Sequence, residues 1–116
     1  MPGARDDYLL RLIQQVAATL RRLRELVSGG ALPDDTMRDA SAAIGELLGP
    51  QRALMEMLDA KSASALVGDY ERLELWIALI RLQADAARKA NDVIKADKLA
   101  ARANALELSR PAPPVR

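Results

Sequence analysis

The side chains best suited to chemistry in this chain are two carboxylate pairs, Asp34 with Asp35 and Glu71 with Glu74. Paired carboxylates can hold a metal ion or act as acid and base, but a helical di-metal site would also use histidine, which is the commonest general base and transition-metal ligand. The chain has no histidine and no cysteine. It also lacks the phosphate-binding loops, serine elbow and paired-histidine motif of common enzyme classes. We interpret these acids as helix caps and solvated surface, and we expect no enzymatic activity, no metal site and no cofactor.

Arginines on the polar side of the first amphipathic segment are the second group that could do chemistry. Binding to phosphates requires such cations, usually converging from several elements. The net charge of the chain is only +1, Glu25 lies among the arginines, and no aromatic side chain accompanies them for stacking on bases. A solvated basic face is the simpler interpretation, and a nucleic-acid-associated regulator is the alternative function. The residues concerned are Arg11, Arg21, Arg22 and Arg24.

Aromatic side chains often anchor protein interfaces, and this chain has few of them. Trp76 lies within the apolar run 75–80 and is predicted to anchor the core. Tyr8 and Tyr70 stand at the starts of helices, where each hydroxyl group needs a polar partner. These two tyrosines are therefore candidates for contact with a partner protein.

The sequence predicts that helices alone position these side chains. Half of the residues are hydrophobic and phenylalanine is absent. The apolar residues are mostly Ala and Leu, the strongest helix formers, and they recur three and four positions apart. Glycine, proline and aspartate mark the ends of the segments. The prediction is an all-α antiparallel bundle of four main helices plus one or two short ones, over residues 6–28, 33–48, 50–59, 62–67, 70–90 and 93–109.

The same spacing predicts which side chains face the core. The segment 75-LWIALI-80 is apolar on nearly every side, so its helix is predicted to be central in the fold. In the short third helix, Leu54 and Met55 are predicted to point inward together with Leu58. The inward side chains predicted for the last helix are Ile94, Leu99, Ala103 and Leu106.

The chain is predicted to form one domain, residues 6–109, between a short N-terminal tail, 1–5, and a proline-rich C-terminal tail, 110–116. No stretch approaches about 18 uninterrupted apolar residues, so no membrane span is expected. The N-terminus carries two acids ahead of the first apolar stretch and is not typical of a signal peptide. Since cysteine is also absent, we expect a cytoplasmic location.

The opening 7-DYLLRLIQQ-15 resembles the N-terminus of a family of uncharacterised small bacterial helical proteins. In that family the opening reads roughly Asp-Tyr-(Ile/Leu)-(Met/Leu)-Arg-(Leu/Met)-Ile-(Glu/Gln)-Gln. The resemblance extends more weakly over residues 6–109. It implies a bacterial all-helical protein and no particular activity.

The second half of the chain also resembles a tetratricopeptide (TPR) helical hairpin, in which small residues recur at fixed positions of two antiparallel helices. Gln83 departs from that pattern, because a large aromatic residue is expected at its position. The resemblance implies a groove that binds a peptide or a partner protein. The residues with similar spacing are Ala87, Ala90, Leu99, Ala103, Leu106 and Pro111.

These features favour a non-catalytic protein–protein interaction module, either a small cytosolic adaptor or an assembly subunit. Alanine-rich faces on the last two helices would let another helix approach closely, and a proline-rich tail is partly pre-organised for binding. The apolar surface of the first helix and of residues 75–80 leaves self-association as a homodimer open. No small-molecule substrate is expected. The candidate contact residues are Tyr8, Leu12, Tyr70, Leu79, Ala86, Ala90, Ala96, Ala100, Ala103 and Pro113.

Overall fold

A computed structural model describes residues 4–111 of the chain, with side chains from residue 7 onward. The described residues form helices and connections and no strand, which confirms the all-α prediction. The first helix begins two residues earlier than the sequence predicts. The helices are α1 (Ala4–Ser28), α2 (Pro33–Leu48), a 3₁₀ turn (Gly49–Gln51), α3 (Arg52–Met57), α4 (Ala60–Val67), α5 (Tyr70–Lys89) and α6 (Val93–Leu108).

The helix boundaries follow local capping chemistry. Asp59, Asp69 and Asp92 precede α4, α5 and α6, and each carboxylate accepts a hydrogen bond from the backbone N–H three residues later. Hydrogen bonds from the side chain and backbone of Ser62 lower the pKa of Asp59 below its usual value. Gly49 ends α2 with φ 65°, a conformation that glycine adopts without the steric cost of a Cβ atom.

Helix α5 is the centre of the fold and packs against α1, α2, α4 and α6. Arg72, near its start, contacts Leu47 at the end of α2, whereas Gln83, farther along α5, contacts Met37 near the start of α2. These two contacts show that α2 and α5 run antiparallel. The prediction of a central helix around residues 75–80 is therefore confirmed.

Helices α5 and α6 form a second antiparallel pair. Arg81 pairs with Glu107 at 2.8 Å, and Arg88 pairs with Asp97 at 3.7 Å, so residues farther along α5 meet residues earlier in α6. The hydrogen bond and the charge of Arg81 hold the pKa of Glu107 below its usual value. The ion pairs lie at the rim of an interface whose centre is apolar.

Most side chains predicted to face the core do so, but Leu54 and Ile94 do not. Leu54 is 49% exposed and Ile94 is 74% exposed. Leu54 lies next to Met55 in the six-residue helix α3. Because Met55 is buried against the core, the adjacent Leu54 side chain points toward solvent. Ile94 is two residues before the buried Ala96, which places it on the opposite side of α6. Both predictions were wrong because the sequence pattern assigned too wide a face of each helix to the core.

The C-terminal end of α2 is closed by an arginine from α5. Arg72 donates from Nε to the Leu47 carbonyl oxygen at 2.9 Å and from Nη2 to the Leu48 carbonyl oxygen at 3.3 Å. The last carbonyl groups of a helix have no partner within that helix, and its C-terminal end favours positive charge. Arg72 therefore both satisfies these acceptors and ties α5 to α2.

We expect Arg72→Ala to lower the free energy of unfolding by about 2 kcal/mol, because charged hydrogen bonds to half-buried carbonyl groups are lost. Urea denaturation followed by circular dichroism measures the change. Arg38→Ala is the matched control, since the Arg38 side chain is 71% exposed and its ion pair with Asp35 is worth at most about 1 kcal/mol. Equal losses in the two variants would show that the Arg72 bonds are not stabilising.

Candidate protein-interaction groove

An open groove runs along α5 between α2 and α6. Both flanking helices pack on α5, yet they make almost no contact with each other. The wider part has a volume of about 700 Å³, and a narrower part of about 210 Å³ continues from it, with Gln83 and Leu99 lining both. We call this continuous surface the α2–α6 groove. Its lining residues are Asp34, Met37, Arg38, Ser41, Ala42, Ile44, Arg52, Glu56, Trp76, Ile80, Gln83, Lys95, Leu99 and Arg102.

The floor of the groove is formed by side chains of α5. Trp76 and Ile80 are buried and give the narrower part an apolar base. Gln83 is also buried, and its side-chain amide donates to the Met37 carbonyl oxygen at 3.3 Å. The residue that departs from the TPR pattern thus bridges α5 to α2. Sequence reasoning did not identify Gln83 as a groove residue, although a glutamine in an otherwise apolar helix face was a signal for it.

Arg52 holds the wall of the groove that α2 and α3 form. It donates to the backbone carbonyl and hydroxyl oxygens of Ser41 at 2.8 and 2.9 Å, and it pairs with Glu56 at 3.2 Å. A Cβ atom at Gly45 would lie 3.3 Å from the Arg52 guanidinium, so the glycine leaves room for this approach. The two bonds to Ser41 fix the position of α3 relative to α2.

The opposite wall belongs to α6. Lys95, Leu99 and Arg102 lie four and three residues apart, which places them on one face of the helix. Arg102 donates to the Met55 carbonyl oxygen at 2.9 Å, and its guanidinium carbon is 5.6 Å from the centre of the Trp76 ring. Among the described residues, no carboxylate lies within 4.0 Å of Lys95 or Arg102.

Several predicted contact residues lie inside the fold. Leu79 is 0% exposed, and Ala86, Ala96 and Ala103 are also buried. The small side chains let α5 and α6 approach each other closely, so the alanine-rich faces are occupied within this chain. Of the remaining alanines in the predicted set, Ala90 is exposed and Ala100 is half-buried.

The predicted tyrosines have different surroundings. Tyr8 is 65% exposed and, with the half-buried Leu12, lines a shallow cleft of about 420 Å³ between α1 and the end of α2. The Tyr70 ring instead lies beneath the Arg110 guanidinium, with 5.1 Å between the guanidinium carbon and the ring centre. Arg110 also pairs with Glu74. Arg110, which the sequence assigns to the tail, is therefore held against α5. Pro113 lies outside the described residues.

The four arginines of the basic face are exposed on α1, and among the described residues none of them forms an ion pair. Arg11 and Arg22 are three turns apart on one side of the helix, while Arg24 lies on its other flank. Glu25 lies between the two flanks. The face is therefore a broad, diluted positive surface on a single helix.

No protein-family model, curated protein or solved structure matches this chain. Within residues 4–111, no helix has both the length and the apolar character needed to cross a membrane. The same part of the chain holds no group of three or more acidic side chains placed to bind a metal ion.

Proposed function

We propose that this chain is a non-catalytic interaction module, a small cytoplasmic adaptor or assembly subunit, that binds a segment of a partner protein in the α2–α6 groove. The observation that carries the proposal is the gap between α2 and α6 over α5, with an apolar floor and polar walls. Interfaces commonly combine an apolar centre with a polar rim. An α-helix laid into such a groove would pack apolar side chains on the half-buried Leu99, above the floor that Trp76 and Ile80 form.

The rigidity of the walls supports binding without large rearrangement. Arg52 joins α3 to α2, and Arg102 joins α6 to the end of α3. Gln83 joins the floor to α2. Because these bonds order the groove before a ligand binds, little conformational entropy of the groove is lost on binding.

The specific observation in favour of a nucleic-acid-associated regulator is the absence of ion pairs on Arg11, Arg21, Arg22 and Arg24 within the described residues. Cations free of acidic partners can neutralise phosphates. The four side chains lie on one helix with Glu25 among them, which supports this second function less than the groove supports the first.

Peptide selection followed by calorimetry tests the groove. A displayed library of random helical peptides is selected against the chain, and the enriched peptides are titrated into wild type and two variants. Ala42→Phe places a ring in the groove, while Ala101→Phe adds the same ring at an exposed position of α6 outside it. We expect Ala42→Phe to weaken binding at least about tenfold, roughly 1.4 kcal/mol, and Ala101→Phe to leave it unchanged.

Three results would contradict the proposal. The library could yield no enriched peptide, or Ala42→Phe could bind as tightly as wild type. A third contradiction would be binding of nucleic acid that weakens steeply between about 50 and 200 mM salt and is abolished by Arg21→Glu with Arg22→Glu, which would favour the regulator. Enrichment of peptides that match a segment of this chain would identify the partner as a second copy.

A further inference from the structure

We propose that the segment bound in the α2–α6 groove is acidic, with carboxylates that pair with Lys95 and Arg102 on either side of an apolar side chain packed on Leu99. This inference rests on the proposed function and specifies its ligand. It follows from how charge is distributed between the two walls of the groove.

The cations of the α6 wall have no acidic partner within the part of the chain that the structure describes. No carboxylate of the described residues lies within 4.0 Å of Lys95 or Arg102. They are seven positions apart in the sequence and therefore about 10 Å apart along the helix axis, with Leu99 between them. A ligand helix with two carboxylates two turns apart would match this spacing.

The cations of the opposite wall are already paired. Glu56 pairs with Arg52, and Asp35 pairs with Arg38 at 2.8 Å. Asp34 also lines the groove, and it lies in the first turn of α2, where the helix dipole favours a carboxylate. The positive charge available to a ligand therefore lies on the α6 wall.

Arg102 is oriented before any ligand binds. The Trp76 ring lies beneath its guanidinium, and Nη2 donates to the Met55 carbonyl oxygen. A guanidinium carries five N–H donors, so several remain for an incoming carboxylate. Because the side chain is already held, pairing costs less conformational entropy than it would at a freely rotating arginine.

Two matched synthetic helices test the inference. One peptide carries leucines three and four residues apart with glutamates beside them, and the other has lysine in place of every glutamate; neither contains an aromatic residue. Anisotropy of the labelled peptides measures the Kd at 50 and 200 mM salt. Emission from Trp76, the only tryptophan of the chain, reports whether the ligand reaches the groove. We expect binding of the acidic peptide, a change in Trp76 emission and weaker binding at higher salt.

Charge reversal identifies the residues. Lys95→Glu is expected to weaken binding of the acidic peptide at least about fivefold, and Arg102→Gln, with its fold checked by circular dichroism, is expected to weaken it as well. Lys61→Glu makes the same charge change at an exposed site on α4 and is expected to leave the Kd unaltered. Ala42→Phe is expected to block the acidic peptide.

The outcomes separate the charge inference from the proposed function. If both peptides bind equally, both are blocked by Ala42→Phe and neither responds to Lys95→Glu, the groove binds segments but the acidic preference is overturned. If neither peptide binds although the library yields peptides that Ala42→Phe blocks, the acidic preference alone is overturned; if neither binds and the library yields none, both proposals are overturned. Binding that survives Ala42→Phe but is lost in Arg21→Glu with Arg22→Glu would place the acidic ligand on α1 and overturn the inference.

Discussion

Leu79→Glu is expected to unfold the chain, whereas Ile94→Glu is expected to leave it folded. Both residues belong to apolar patterns of their helices, but Leu79 is 0% exposed and Ile94 is 74% exposed. An unpaired carboxylate forced into the core costs several kcal/mol, and the total stability of a small domain is about 5–15 kcal/mol. Thermal and urea denaturation followed by circular dichroism would measure the difference between the two variants.

A Leu79→Glu variant with wild-type helicity and a cooperative transition near that of wild type would show that the α5 side chain is not enclosed as described. A large loss of stability in Ile94→Glu would show that the Ile94 side chain at the start of α6 is not exposed as described. The pair also guides studies of self-association. Loss of a dimer in Leu79→Glu would reflect unfolding, so the exposed Tyr8 and half-buried Leu12 are better positions for testing contact between copies.

Trp76→Ala is expected to lower the free energy of unfolding by about 3–5 kcal/mol, the range found when a large buried aromatic side chain is removed. Trp76 is among the largest fully buried side chains, and Arg102 packs over its ring. The substitution removes apolar burial and also the ring that orients Arg102. Urea denaturation must be followed by circular dichroism, because the variant has no tryptophan emission.

Trp76→Phe is the control, since it keeps an aromatic ring beneath Arg102 and leaves a smaller cavity. We expect it to recover more than half of the lost stability. A loss of less than about 1 kcal/mol in Trp76→Ala would contradict the placement of this side chain as a core anchor. If the alanine variant remains folded, it is also expected to bind groove ligands more weakly, because the apolar floor is gone.

Much of the fold could be predicted because its signals are local. Gly49 ends α2, while Asp69 and Asp92 cap the starts of α5 and α6, as the sequence indicates. Each signal depends on backbone groups only a few residues away, and so it ends or starts a helix in the same way in any tertiary context. The repeat of apolar side chains likewise predicted that Met55, Ala103 and Leu106 face the core, because periodicity defines a face relative to the helix's own axis.

The candidate site was less predictable, since its parts are far apart in the chain. Gln83 meets Met37, and Arg102 meets Met55, across separations of 46 and 47 residues. Most of the predicted alanine-rich contact surface lies in the interface between α5 and α6, and the Tyr70 ring packs beneath the Arg110 guanidinium. Nothing in the local pattern distinguishes an apolar stripe that meets its own chain from one that meets another protein.

The sequence by itself determined where the helices begin and end to within two residues, most of the side chains that face the core, and that histidine and cysteine chemistry is absent. Only the tertiary structure decided that α2 and α6 both pack on α5 and make almost no contact with each other. That gap depends on the volumes of all the side chains packed between three helices. Because packing volume is a property of the assembled core, the groove and the cations along its α6 wall come together only when the chain is folded.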